Sequence, residues 1–359
     1  MLLTITLQPG LWRPIVGIDA FDLREHEIDI TPWLPLLCDG NQHTFEIKVA
    51  GINDNGGTTG TLTETVGNSW YVTGKIFVWL DAALSITTGT QPAVILPQPH
   101  ITLSQSYTQN ATGSNQTLSY STLVTRSLSI SSIVKTQQGT AAETWTQSLS
   151  YSNYGSFTDQ GNSQVNDFST IGYDTSTGVY PYSSSYKYPL YANTTVIVDP
   201  SGNFSISANL RHGLFLETYG NSIYPSGLES FSGQPGTEKE LSSYSGSYLR
   251  TVQNGTAYYF SSPSTGTGIS FGSTKQDFGF GAANPGTSDE LYTRDVVAVN
   301  GTVVSDKETL ASVTIGDYKG PDPPIKGMGP QGAAGSPKQA IGRGPGQSKP
   351  ALAQGGGGV

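Results

Sequence analysis

The chain has 359 residues, including 44 glycines, 21 prolines and 83 serines or threonines, and 13% of its residues are charged. Ala, Glu, Lys and Leu are too scarce for a coiled coil or a helical bundle. No run approaches the ~18 apolar residues of a membrane-spanning helix, so no such helix is expected. The net charge of −9 becomes −13 over residues 1–318, which disfavours a nucleic-acid interface because phosphates would be repelled.

The first segment, residues 1–90, holds four of the five tryptophans and the densest acidic residues. Its start, Met1–Leu7, lacks the basic region of a signal peptide and predicts a strand, so the natural beginning of the protein is expected to lie further upstream. Cys38 is the single cysteine, which excludes a disulfide framework and predicts a small buried apolar side chain. Residues 51–68 lack the acid spacing of an EF-hand and predict a flexible loop without calcium.

The second segment, residues 91–318, alternates apolar and polar residues with a period of two, which is typical of half-buried strands. The clearest case runs from Gln116 to Lys135, where Ser and Thr mostly occupy one parity. Three turn signals predict hairpins, at Asp199–Asn203, Asn254-Gly255 and Asn300-Gly301. Repeated strands of this kind predict an all-β fold of antiparallel β-sandwiches or a meander, without βαβ units.

The third segment, residues 319–359, contains 12 glycines and seven prolines and ends in Gly-Gly-Gly-Gly-Val. Such a composition cannot bury a core, so this tail is predicted to be disordered.

Six acidic residues crowd the stretch from Asp19 to Asp39, against Arg24 alone. Crowded carboxylates repel one another and raise some pKa values, which is one way to make a general acid near neutral pH. The alternative interpretation is a solvated edge followed by a turn at Asp39-Gly40. Trp12 and Trp70 border predicted loops and are candidate stacking platforms for a sugar ring, although a role in the core is the alternative.

The chain contains no HExxH pair, no GxSxG elbow and no phosphate-binding glycine loop, so zinc, serine-hydrolase and nucleotide chemistry have no support. Six Asn-x-Ser/Thr sequons give a mild indication of secretion. These candidate N-glycosylation sites are Asn110, Asn115, Asn193, Asn203, Asn254 and Asn300.

One longer motif is specific. It reads Leu-Trp-Arg-Pro-Ile from Leu11, Ala-Phe-Asp from Ala20, and Ile-Asp-Ile-Thr-Pro-Trp-Leu from Ile28, followed by Asp39-Gly40, His43 and Phe45. This pattern resembles the family of peptide-N4-(N-acetyl-beta-glucosaminyl)asparagine amidase A, the acidic peptide:N-glycanases of plants and fungi. The resemblance implies that residues 1–90 are the C-terminal part of a β-sandwich domain of this family, with its N-terminal portion missing. It also implies jelly-roll-like sandwiches.

The resemblance implies hydrolysis of the amide between asparagine and the innermost N-acetylglucosamine of an N-glycan. N-glycopeptides or N-glycoproteins would be the substrates, with no cofactor, no metal, no nucleic acid and no membrane as partner. The family also implies secretion or residence in the secretory pathway. The sequence leaves the oligomeric state open.

Residue roles follow from the positions that match the motif, together with Trp70 from the sugar-platform argument and Glu27 from the acidic stretch. Asp22 and Asp29 are the first candidates for catalysis, with Glu27 third. Arg13 is the candidate electrostatic partner, and Trp12 and Trp70 are candidates for substrate binding. Two alternatives stay open at this point: a non-catalytic carbohydrate-binding or wall-associated β protein, and a structural secreted β domain whose acids serve solubility.

Overall fold

The structure is a computed structural model that describes residues 27–66, 74–78, 80, 85–220, 244–310 and 313–319. A 3₁₀ helix at Thr31–Trp33 leads directly into the four-residue helix α1 (Leu34–Leu37), and a second 3₁₀ turn lies at Asp159–Gly161. No helix among the described residues is long and apolar enough to cross a membrane. The rest is strand. The strands are β1 (Gly51–Asn53), β2 (Thr61–Thr63), β3 (Thr88–Gly89), β4 (Ala93–Ile95), β5 (His100–Gln109), β6 (Asn115–Thr136), β7 (Gly139–Thr158), β8 (Ser163–Thr177), β9 (Tyr182–Val198), β10 (Phe204–Gly220), β11 (Gly246–Ser262), β12 (Thr267–Asn284), β13 (Thr287–Val299), β14 (Thr302–Leu310) and β15 (Val313–Lys319).

The strands β3 to β15 form one antiparallel sheet in which consecutive strands from β6 to β15 are neighbours, the order of a meander. On the far side of β6, three short strands, β3, β4 and β5, pair with successive parts of its length. The prediction of an all-β, antiparallel fold is confirmed. The jelly-roll-like sandwich and the division at residues 90 and 318 stay predictions, and residues 320–359 of the predicted tail lie outside the described residues.

One face of this sheet is buried, and the register shows which side chains share it. Ile130 is paired with Trp145, and Phe168 is paired with Leu190, which in turn lies opposite His212. All five are buried, although Trp145 and His212 carry polar nitrogens. Because side chains alternate between faces, the intervening residues of β6 to β8 point to the opposite, more open face. We call these the core face and the open face.

The predicted strand from Gln116 to Lys135 is confirmed as β6, and its apolar parity lies on the core face near Ile130 and Val134. Hairpins form at Asp199–Asn203 and at Asn300-Gly301. Asn300 and Gly301 have φ angles of 49° and 78°, as a type I′ turn requires.

The predicted hairpin at Asn254-Gly255 is wrong, because β11 continues straight through it. Gly255 is aligned with Leu210 on one side and Thr274 on the other, inside ladders of 16 and 17 residue pairs. A turn there would leave half of β10 and half of β12 without backbone partners on the sides that face β11. The long-range pairing therefore outweighs the local preference of Asn-Gly.

Over residues 51–66, the stretch predicted as a loop is also more ordered than expected. β1 and β2 pair as a small hairpin whose turn is closed by the Asp54 and Asn55 side chains, which accept the N–H groups of Gly56 and Gly57. Thr59 forms a bridge with Thr102 of β5, which anchors the hairpin to the sheet edge. Cys38, predicted to be buried, is a free thiol that is half-buried.

His212 predicts how stability depends on pH. Burial lowers its pKa from 6.5 to about 4, so between these values the unfolded chain binds a proton that the folded chain does not. Stability is therefore lost as pH falls below 6.5, by about 2 kcal/mol at pH 5. Urea unfolding at pH 7.5 and pH 5 measures the loss.

The variant His212→Gln should remove most of that pH dependence, whatever its own stability. His100→Gln, at an exposed position of β5, is the matched control and should keep it. An unchanged slope in His212→Gln would show that another group is responsible.

Candidate active site

Asp29, one of the predicted catalytic acids, lies where the N-terminal segment meets the sheet. Its Oδ1 atom accepts the backbone N–H of Thr31 at 2.8 Å, which fixes the chain at the start of the 3₁₀ helix. Pro32 in that helix is fully buried, and the helix lies against β6 and β7. The proline restricts the backbone and supplies an apolar surface, so the local sequence holds Asp29 over the core face.

The Asp29 carboxylate lies close to the hydroxyl of Tyr182, the first residue of β9, near enough to act on its pKa. Burial, followed by the negative charge of Asp29, raises the pKa of Tyr182 well above its ordinary value of 10, and Asp174 adds to the effect. The indole of Trp145 approaches the same hydroxyl from β7 and acts in the opposite direction. Tyr182 therefore keeps its proton and serves as a hydrogen-bond donor.

A chain of buried and half-buried polar groups continues from Tyr182 along the core face. The Tyr186 hydroxyl donates to Asp174 Oδ1 at 3.3 Å, and Gln147 Nε2 donates to the Tyr186 oxygen at 3.2 Å. Arg126 in turn donates to the Gln147 amide oxygen. Burial and the charge of Asp174 raise the pKa of Tyr186, so this tyrosine also stays protonated. Asp29, Asp174, Tyr182 and Tyr186 are called the carboxylate–tyrosine cluster below.

A glycine makes the position of Tyr186 possible. Gly172 lies directly opposite Tyr186 in the β8–β9 pair, and a Cβ at Gly172 would stand 2.0 Å from the tyrosine ring. The ring therefore lies across the glycine, which brings its hydroxyl to Asp174 and Gln147. Tyr120 lies over Gly155 in the same way in the β6–β7 pair.

Glu143 is a second buried acid on the core face, two residues from Trp145 in β7. Its Oε1 accepts the backbone N–H of Val179 at 2.8 Å, and Gly178, with φ 137°, leaves room for the carboxylate. A Cβ at Gly178 would stand 2.0 Å from Glu143 Oε2. Glu143 thus closes the turn between β8 and β9, next to Tyr182.

The other predicted acids behave differently. Glu27 is exposed. Asp39 Oδ1 accepts the backbone N–H of Asn41 at 2.8 Å and lies 2.9 Å from His43 Nε2. The Asn41 side chain, then the Asn41 backbone and His43, lower the pKa of Asp39 to about 2. Asp39 is therefore an ionised turn residue, as the alternative interpretation of the acidic stretch expected for this position.

Four predicted site residues lie outside the described residues: Asp22, Trp12, Arg13 and Trp70. The described residues contain no group of three or more His, Cys, Asp or Glu side chains that could hold a metal ion.

The predicted sequons fall at positions of different exposure. Asn115 and Asn254 are exposed, at the start of β6 and in the middle of β11. Asn203 and Asn300 are turn residues. The Asn203 side chain donates to the Asp199 carboxylate, and the Asn300 side chain accepts the N–H of Gly272. Asn110 closes the turn between β5 and β6, and Asn193 is half-buried in β9.

Sequence reasoning missed Asp174, Tyr182, Tyr186 and Glu143. The alternation of apolar and polar residues in β8 contained a signal for one of them, because it predicts Asp174 on the same face as Phe168. Nothing local in the sequence reveals that Asp29 meets Tyr182, which lies about 150 residues further along the chain.

In chemical terms, the carboxylate–tyrosine cluster combines carboxylates, which can take a proton from water, with protonated hydroxyls, which can donate to a developing negative charge. The class of protein that this arrangement defines is an antiparallel β protein that brings carboxylate and tyrosine groups capable of acid–base chemistry together on one sheet face.

Two family models match the chain. The model described as peptide N-acetyl-beta-D-glucosaminyl asparaginase amidase A matches residues 1–94, and the C-terminal domain model of the same family matches residues 119–190. A curated relative, peptide-N4-(N-acetyl-beta-glucosaminyl)asparagine amidase A from Prunus dulcis, is 28% identical over 242 residues. The matched region is 66% of this chain and 39% of the relative, so the chain spans well under half of that protein. No solved structure matches.

Over both matched regions the chain is similar to the peptide-N4-(N-acetyl-beta-glucosaminyl)asparagine amidase A family. Asp29 lies in the region matched by the first model, whereas Asp174, Tyr182 and Tyr186 lie in the region matched by the second. The carboxylate–tyrosine cluster therefore joins the two family regions.

The contact between Asp29 and Tyr182 predicts how the N-terminal segment is held. Tyr182→Phe removes the hydroxyl beside the Asp29 carboxylate and should loosen residues 30–38, because a half-buried carboxylate that loses a polar neighbour is destabilised by about 1–3 kcal/mol. Hydrogen exchange of these backbone amides should accelerate about tenfold or more, since 1.4 kcal/mol corresponds to a factor of ten.

Tyr180→Phe is the matched control. It removes an exposed hydroxyl only two residues before Tyr182, and this hydroxyl bonds to Gln138 at 2.8 Å. It should leave exchange in residues 30–38 unchanged. Equal protection of these residues in Tyr182→Phe and in the unaltered protein would contradict this role of Asp29.

Proposed function

We propose that this protein hydrolyses the amide bond between asparagine and the core N-acetylglucosamine of N-glycopeptides. The observation that carries the proposal is the Asp29 carboxylate held against the protonated Tyr182, within a sequence motif of a family whose described activity is this amidase. Asp29 is half-buried, so part of its surface stays exposed near the cluster.

The reaction needs a group that activates water, donors for the oxyanion and a proton for the departing nitrogen. In the proposal, Asp29 takes a proton from a water molecule, whose oxygen attacks the asparagine side-chain carbonyl. Tyr182 donates a hydrogen bond to the negative oxygen that forms. The C–N bond then breaks, and the proton passes to the nitrogen. The products are an aspartate and a glycosylamine, which loses ammonia in water.

Asp22 and Glu27 stay proposed as further catalytic acids, and Trp12, Arg13 and Trp70 as substrate-binding residues. Of these, Glu27 is two residues from Asp29 and exposed, so it could reach substrate from the solvent side. The natural substrates are proposed to be N-glycoproteins and N-glycopeptides.

The purified chain, incubated with a defined N-glycopeptide at mildly acidic pH, should release glycan and convert Asn to Asp, which adds about one mass unit to the peptide. Asp29→Asn should lower the rate at least about 100-fold if Asp29 activates water, in the range of general-base effects. Mass spectrometry follows both products.

Asp54→Asn is the matched control, because Asp54 is exposed in the β1–β2 turn and asparagine retains the acceptor for Gly56. It should be fully active. An unaltered chain that leaves the glycopeptide intact, or an Asp29→Asn variant with normal turnover, would refute the proposed role of Asp29.

We propose secretion or residence in the secretory pathway as the location of the protein. The exposed sequon residues Asn115 and Asn254 support it, since an oligosaccharyl group needs an accessible asparagine amide. When the chain is expressed through a eukaryotic secretory pathway, endoglycosidase treatment should lower its mass. Asn115→Gln and Asn254→Gln should each remove one glycan, whereas a mass unaffected by the endoglycosidase would refute modification at these sites.

A further inference from the structure

The open face of the sheet carries a shallow cleft of about 440 Å³ over β6, β7 and β8. This volume falls within the range of small-molecule binding sites. We call it the hydroxyl cleft, because several of its lining side chains carry hydroxyl groups. The lining on the open face includes Thr125, Ser127, Ser148, Ser150, Ile171 and Tyr173, and Gln98 and His100 also line it.

The register builds the cleft from two cross-strand rows. Ser127 is aligned with Ser148 and Ser148 with Tyr173, which gives one row of three neighbouring strands. Thr125, Ser150 and Ile171 form the next row. Because strands lie ~4.8 Å apart and alternate residues ~7 Å apart, the hydroxyls form a regular grid. Each row ends on an apolar side chain of β8.

The grid suits a ligand with hydroxyls at its rim and C–H groups on its faces. A serine or threonine hydroxyl can both donate and accept a hydrogen bond, as sugar hydroxyls do. Tyr173 is 49% exposed and Ile171 is 50% exposed, so each offers an apolar surface beside the hydroxyls. An exposed tyrosine ring is a flat platform with one polar end, which a pyranose ring can cover.

The charges of the cleft favour a neutral ligand. Of its lining residues, His100 and Arg126 carry ionisable groups, and the Arg126 guanidinium is bonded to Gln147 on the core face. The cleft therefore offers no fixed cation for a phosphate or carboxylate, on a chain of net charge −9.

The cleft is also elongated. An adjoining hollow of about 290 Å³ shares Ser127, Ser148 and Tyr173 with it and continues over Ser129, Thr146 and Ile95. A ligand of several linked rings can follow this line across Tyr173, whereas a single ring fills one part of it.

We propose that the hydroxyl cleft binds an uncharged oligosaccharide, with Tyr173 as its stacking platform. The choice of an N-glycan arm as this oligosaccharide rests on the proposed function. Tyr173 and Asp174 are adjacent in β8 and therefore point to opposite faces, so the cleft lies on the opposite face from the carboxylate–tyrosine cluster. A glycan bound in the hydroxyl cleft therefore contacts the open face, whereas the proposed amide chemistry takes place on the core face.

The test measures binding without hydrolysis. A free oligomannose glycan that ends in N,N′-diacetylchitobiose is titrated into the full chain and followed by calorimetry and by ligand-observed NMR. It should bind the unaltered protein, and Tyr173→Ala should weaken binding about tenfold or more, because stacking on an aromatic ring contributes about 1–2 kcal/mol. Ser148→Val, which removes a hydroxyl at an exposed strand position, should weaken binding several-fold.

Tyr154→Ala is the matched control. Tyr154 is 45% exposed and lies on the same face of β7, six residues from Ser148 and outside the cleft. Unchanged binding in Tyr154→Ala together with weaker binding in Tyr173→Ala supports the proposal. Equal binding by all variants, no glycan binding at all, or equally strong binding of the unglycosylated peptide would overturn it.

These outcomes are separate from the amidase assay. Glycan binding without release of glycan from a glycopeptide would support the hydroxyl cleft and refute the amidase. Release without binding of free glycan would support the amidase and refute the cleft.

Discussion

The two-residue period of a long, continuously paired strand is the constraint on which the rest of the structure depends. From β6 to β9 the register does not slip, so each side chain is assigned to the core face or the open face over the full width of four strands. A shift by one residue would exchange the two sets. The same register that places Asp174, Tyr182 and Tyr186 under the N-terminal segment places Ser148, Ser150 and Tyr173 in solvent.

Burial of polar groups on the core face then determines the local contacts. An unpaired buried carboxylate costs several kilocalories per mole, so a partner for such a group strongly stabilises the fold. Asp174 and Gln147 are satisfied by the Tyr186 hydroxyl, which reaches them because Gly172 leaves space for its ring. Asp29 completes the arrangement from the other matched region, with its carboxylate beside the Tyr182 hydroxyl. The site is thus a consequence of how two distant parts of the chain share one buried face.

Much of the fold follows from local sequence, and the site follows less. The parity of residues 116–135 predicts β6 and its core face, and Asn300-Gly301 predicts its turn because both residues accept positive φ. The same signal at Asn254-Gly255 predicts a turn that does not form. Pairing with β10 and β12 holds all 17 residues of β11 in a strand, and this outweighs the local preference of two residues for a turn. The motif around Ile28-Asp29-Ile30 indicated both the family and Asp29. Tyr182, Asp174 and Glu143 could not be predicted, because their roles depend on which strands lie side by side, and no spacing in the sequence encodes that.

The central claim is that Asp29, held by Tyr182, directs water to the asparagine side-chain carbonyl. Hydrolysis of an N-glycopeptide in ¹⁸O-labelled water tests it most directly, with the aspartyl peptide examined by fragmentation in the mass spectrometer. The account predicts one ¹⁸O atom in the new aspartate carboxylate with the unaltered chain and almost none with Asp29→Asn over the same time. Labelled sugar beside an unlabelled asparagine, or equal labelling of aspartate by Asp29→Asn, would contradict it.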